Sequence, residues 1–79
     1  MSAYLEFRET ADTGKTKRYA VISRHHGDVL AEIAWYGPWR QYTVEPMPAT
    51  VWNRDCLREV AAFLEGLQRE RADARRATA

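Results

Sequence analysis

The sequence predicts an α+β domain, a three- or four-stranded antiparallel β-meander with one C-terminal α-helix packed on one face. Three observations carry this. Short stretches from Ala3 to Glu45 alternate apolar and polar residues, as half-buried strands do. Gly27 and the Gly37-Pro38 pair interrupt them where tight turns belong. From Cys56 to Leu67 the period changes to three and four residues, the signature of a helix with one apolar stripe.

Ala3 to Arg8 sets Leu5 and Phe7 against Tyr4, Glu6 and Arg8, which suits an edge strand. Glu9 to Thr16 is polar and reads as a loop. Its Thr13-Gly14-Lys15-Thr16 resembles the end of a phosphate-binding P-loop, but that motif needs a glycine where Glu9 stands and a helix where a strand pattern follows. Lys17 to Arg24 is the second strand. His25-His26-Gly27 then forms a three-residue connection with Gly27 in the left-handed conformation. That loop pairs Tyr19 with Ile33 and Val21 with Ala31, and sets Ile22 beside Leu30 on the other face.

Asp28 to Trp35 is the third strand and Trp39 to Glu45 the fourth. A two-residue type II′ turn at Gly37-Pro38, with positive φ at Gly37, opposes Tyr36 to Trp39, Ala34 to Gln41 and Glu32 to Thr43. Trp35, Ile33, Tyr42 and Val44 then form the core face. Tyr36 and Trp39 form an aromatic pair on the opposite face. Pro46-Met47-Pro48 ends the sheet, since proline donates no ladder hydrogen bond.

Asn53 is a good helix N-cap, Asp55 suits the positive end of the helix dipole, and Trp52 is placed to pack on Leu57 as a hydrophobic staple. Cys56, Leu57, Val60, Phe63, Leu64 and Leu67 make the stripe. Beyond Glu70 no stripe continues, so residues 1–70 are expected to form one domain and residues 71–79 a frayed, charged tail.

A chain of 79 residues supports about one core. No stretch approaches the roughly 18 apolar residues of a membrane span, and no signal-peptide layout opens the chain, so a cytoplasmic protein is expected. Cys56 is the only cysteine and lies on the helix stripe, where a small buried residue fits better than a nucleophile. His25, His26 and Asp28 crowd one turn but diverge too much for a metal set, and Glu32 and Glu45 on an open sheet read as solvated carboxylates. No catalytic or cofactor-binding fingerprint occurs, so neither an enzyme nor a cofactor or metal is expected.

Binding remains. Lys15, Lys17, Arg18 and Arg24 form a run with no acidic residue, and Arg40 lies on the neighbouring strand. Exposed aromatics beside cations suit nucleic acid, yet the net charge is only +1, far below that of typical nucleic-acid binders. Trp, Tyr and Arg are also the usual anchors of protein interfaces. A protein-binding surface is therefore expected, with Tyr36 and Trp39 as anchors and Arg40, Arg18 and Arg24 as charged flanks. Tyr4, Ile22 and Leu30 could extend it. Nucleic-acid binding by the same face and self-association are the alternatives.

Leu30 to Tyr42, which includes Trp-Tyr-Gly-Pro-Trp-Arg-Gln-Tyr, together with Thr50-Val51-Trp52-Asn53, Cys56-Leu57 and Phe63-Leu64, resembles small proteins of phages, prophages and their bacterial hosts. The likeness spans roughly residues 19–67. It implies an accessory protein without catalytic machinery. By analogy of size and setting it implies an anti-CRISPR inhibitor, whose partner is a subunit of a CRISPR-Cas effector complex.

Overall fold

Four strands and one helix account for the alternation and the stripe: β1 (Leu5–Asp12), β2 (Lys17–Ser23), β3 (Val29–Tyr36), β4 (Gln41–Pro46) and α1 (Arg54–Thr78). The computed structural model describes the backbone of residues 4–78 and the side chains of residues 4–72. The strands lie side by side in chain order, each antiparallel to the next, with β1 and β4 at the edges.

Strand parity sends Leu5, Phe7, Tyr19, Val21, Ala31, Ile33, Tyr42 and Val44 toward the helix. Val21, Ala31 and Ile33 are fully buried there beneath Val60 and Leu67. Phe7 stacks on Phe63 with centroids 4.3 Å apart, and Tyr19 meets the same ring edge-on at 5.0 Å. Each large buried apolar side chain contributes roughly 1.5–3 kcal/mol, so this one layer holds the sheet to the helix.

Several local expectations are corrected. Strand β1 extends to Asp12, so the connecting loop is only Thr13–Thr16 rather than Glu9–Thr16. A bulge between Glu9 and Ala11 absorbs one residue and pairing resumes beyond it, with Lys17 Nζ 3.3 Å from Glu9. The β2–β3 hairpin partners Tyr19 with Ile33 and Val21 with Ala31, and Gly27 has φ +75° as the turn requires. A second bulge then sets Ile22 opposite Val29. The extra residue, Leu30, packs against the core instead of facing outward beside Ile22.

The β3–β4 connection is not a two-residue type II′ turn. Gly37–Trp39 form one turn of 3₁₀ helix, and the positive φ falls on Arg40 (φ 52°, ψ 47°), whose amide donates to the Gly37 carbonyl at 3.1 Å. Four residues thus bridge the strands. Tyr36 opposes Gln41, Ala34 opposes Thr43 and Glu32 opposes Glu45. The register moves by two positions, which leaves every side chain on its expected face. Proline explains the choice: its fixed φ suits an early position of a helical turn as well as it suits the tight turn.

Helix α1 starts where its cap requires. The Cys56 amide donates to Asn53 Oδ1 at 2.8 Å, and the Leu57 amide to the Asn53 carbonyl at 3.0 Å. Trp52 and Leu57 border one small apolar hollow of about 120 Å³ with Val44, Pro46 and Val60. Leu57 is nevertheless 55 % exposed, at the rim of the stripe rather than within it. The backbone stays helical to Thr78, past the end expected near Glu70. Good helix formers alone do not hold an end in water, but Arg71 lies 3.9 Å over the Trp35 ring and gives the last turns a tertiary contact beyond Leu67. The side chains expected in a charged tail at residues 73–79 lie outside the described residues.

Two stability tests follow from the turn and the cap. Arg40→Gly should raise stability by roughly 0.5–1 kcal/mol in urea unfolding, because a Cβ at left-handed φ is unfavourable and glycine removes the clash. Asn53→Ala should lower it by about 1 kcal/mol through loss of the cap.

Candidate functional site

The helix covers one sheet face and leaves the other to solvent. On that open face Arg8 pairs with Glu6 at 2.6 Å, and Arg18 pairs across strands with Glu32 at 3.5 Å. Glu32 stands directly opposite Glu45, a repulsive cross-strand pair that Arg18 partly relieves. Between these charges the floor is small and closed, with Ala20 and Ile22 buried. At the hairpin end, Tyr36 and Trp39 make an edge-to-face pair with centroids 5.1 Å apart and planes at 83°. They are 45 % and 66 % exposed.

The five expected interface residues do not all gather. Tyr36 and Trp39 are together, and Arg18 lies on the same face but is bound to Glu32. Arg40 follows Trp39 in the loop and lines the opposite, helix-side cleft. Arg24 is at the far end of the sheet, where its Nε donates to the Leu5 carbonyl at 3.1 Å and its amide to the Tyr4 carbonyl at 2.9 Å. From Val29, near that end, to Tyr36 the strand runs about 23 Å, so Arg24 serves the fold there rather than flanking the aromatic pair. The proposed extension of the patch is not continuous either. Ile22 is buried, Leu30 packs inward, and Tyr4 meets the His25 ring at 6.0 Å at the distant end.

Sequence reading missed a second concavity. An open cleft of about 950 Å³ lies on the helix side, between the Thr13–Thr16 loop, the Arg40 turn and the Leu67–Ala72 segment of α1. Its walls include Trp35 and Tyr42, in edge-to-face contact at 5.5 Å, and the Tyr42 hydroxyl accepts from the Lys17 amide at 3.2 Å. Arg71 stacks on Trp35, and its Nη1 donates to the Lys15 carbonyl at 3.3 Å. The signal that could have found it was Arg71, one turn past Leu67 on the stripe, but its side chain is not apolar. Among the described residues no group of histidines, cysteines and carboxylates is placed to hold a metal ion, and no helix is long and apolar enough to cross a membrane. Cys56 is half-buried against the core.

Across 69 residues the chain is 30 % identical to the "Uncharacterized 9.3 kDa protein" of Acholeplasma phage L2, a match covering 86 % of this chain and 88 % of that protein. The chain belongs to the family of that phage protein. No protein-family model matches, and no solved structure matches. The family is therefore represented in a phage genome.

Tyr19, on the cleft wall, supplies a test of the packing. Burial beneath the helix pushes its phenol above the ordinary value of 10.0, against the opposing pull of Lys17. The raised value means the folded chain holds this proton longer than the unfolded chain, so the stabilisation is full below about pH 10 and is lost as pH rises through the folded value. Phenolate absorbance should show a late-ionising tyrosine that Tyr19→Phe removes. Urea midpoints should fall above about pH 10 for the parent more steeply than for the variant.

Proposed function

We propose that the protein is a non-enzymatic accessory protein of phages or mobile elements that acts by stoichiometric binding to a host protein, with a subunit of a CRISPR-Cas surveillance complex as the target. The observation that carries this reading is the Tyr36–Trp39 pair: two large rings, exposed and in contact with each other, at the projecting end of the sheet face the helix does not cover. Burying such rings on a partner returns the apolar area they leave in water, and their mutual contact lowers the entropy lost on docking. Membership in a family with a phage protein supports the setting.

Charge on the open face favours a protein over nucleic acid. Arg8 and Arg18 are each matched by a carboxylate, and Glu45 adds another acid, so a phosphate backbone would meet little net attraction there. Self-association through the same rings would bury them equally well. Sedimentation separates the cases, since a dimer sealed through Trp39 would dissociate on Trp39→Ala.

The decisive experiment measures phage plating on a host with active CRISPR immunity. Expression of the protein should restore plating by orders of magnitude, the effect should vanish with Trp39→Ala at unchanged circular dichroism, and the surveillance complex should co-purify with the parent only. Unrestored plating across the CRISPR types tested overturns the inhibitor assignment. Equal activity of Trp39→Ala overturns the anchor.

A further inference from the structure

Three cations without an ion pair among the described residues, Lys15, Arg40 and Arg71, lie together on the helix-side cleft, away from the open sheet face. Lys15, Lys17, Arg40 and Arg71 line it against only Asp12 and Glu70, an excess of two positive charges. Lys17 is held by Glu9 at 3.3 Å, and Asp12 accepts from the Gly14 amide at 2.9 Å. Among the described residues no carboxylate forms an ion pair with Lys15, Arg40 or Arg71. Arg71 carries a further deficit, because its Nε is buried and donates to no acceptor among the described residues. Arg40 occupies a left-handed position that glycine or asparagine fills at lower cost, and its side chain lines the cleft.

We propose that this cleft binds a phosphorylated small molecule of nucleotide size, its phosphoryl group held by Arg71, Arg40 and Lys15. Guanidinium groups present paired donors that match phosphoryl oxygens, and with Lys17 engaged by Glu9 the walls still keep one positive charge in excess, which favours an anion. A volume of about 950 Å³ far exceeds a bare phosphate, and the Tyr42 ring on the wall offers the remainder of the ligand an apolar surface.

The side chains, not the loop backbone, do the holding. The Thr13–Thr16 loop spends its amides internally: Gly14 on Asp12 Oδ1, Lys15 and Thr16 on Thr13 Oγ1, and Thr13 on the Thr16 carbonyl. No amide cradle of the P-loop kind exists there, so selectivity must come from the two guanidinium groups. This site is independent of the Tyr36–Trp39 surface, and either can fail without the other.

The test is a titration of the ¹⁵N-labelled full chain at low ionic strength with inorganic phosphate, adenosine monophosphate and acetate. Saturable shifts should appear at the Lys15, Thr16 and Arg40 amides and at the Arg71 Nε–H resonance. The nucleotide should bind about tenfold more tightly than phosphate, and acetate should not saturate. Arg40→Gly keeps the fold, since its conformation suits glycine, and should weaken nucleotide binding by about tenfold while its melting temperature holds or rises. Absence of saturable shifts, equal binding of phosphate and nucleotide, saturation by acetate, or full affinity in Arg40→Gly would each overturn the proposal.

Discussion

One helix about 10 Å across cannot cover a sheet of four strands spaced nearly 5 Å apart, and it can cover only one side. The chain answers by putting Val21, Ala31 and Ile33, all fully buried, on the two central strands beneath Val60 and Leu67, with Leu5 sealed beside them on the β1 edge. Everything else depends on that axis. The edge strands are left half-covered, which opens the cleft where the β1–β2 loop and the β3–β4 turn reach past the helix. The second face is left bare, which puts its charges and rings in contact with water.

The bare face does not behave as a second core, because it holds only Ala20 and one large apolar side chain, Ile22, at its centre. Ala20 and Ile22 are buried among their neighbours without needing a covering layer, and Glu6, Arg8, Arg18, Glu32 and Glu45 rim them. A sheet whose open face has so small an apolar floor and a charged rim is stable in water with one layer of helix. Tyr36 and Trp39 stand out against it, since neither contributes to the cluster that holds the domain together.

The element types, the meander order and the helix cap were legible in the sequence because each rests on local chemistry: alternation, a glycine at positive φ, an asparagine before an apolar stripe. The length of the β3–β4 hairpin loop was not. Gly37-Pro38 fits a two-residue turn and a helical four-residue turn alike, and only the pairing of Trp35 with Tyr42 and of Ile33 with Val44 across the sheet selects the longer one. The face assignment survived because the error was two residues, an even number. Where a bulge added a single residue, at Leu30, parity failed and a side chain expected outside packs inside. For the surface, the aromatic pair could be read from parity, whereas the cleft could not. It is assembled from a loop, a turn and a late helical position separated by as many as 56 residues in the chain.

The placement of Trp39 has a consequence for how such a protein can change over generations. Because the residue sits in the connection rather than in a ladder, its side chain is uncoupled from strand pairing and from the buried layer. Replacing it alters what the tip presents while the scaffold beneath keeps its register. Substitution at this position can therefore change the chemistry of the tip at little cost to folding.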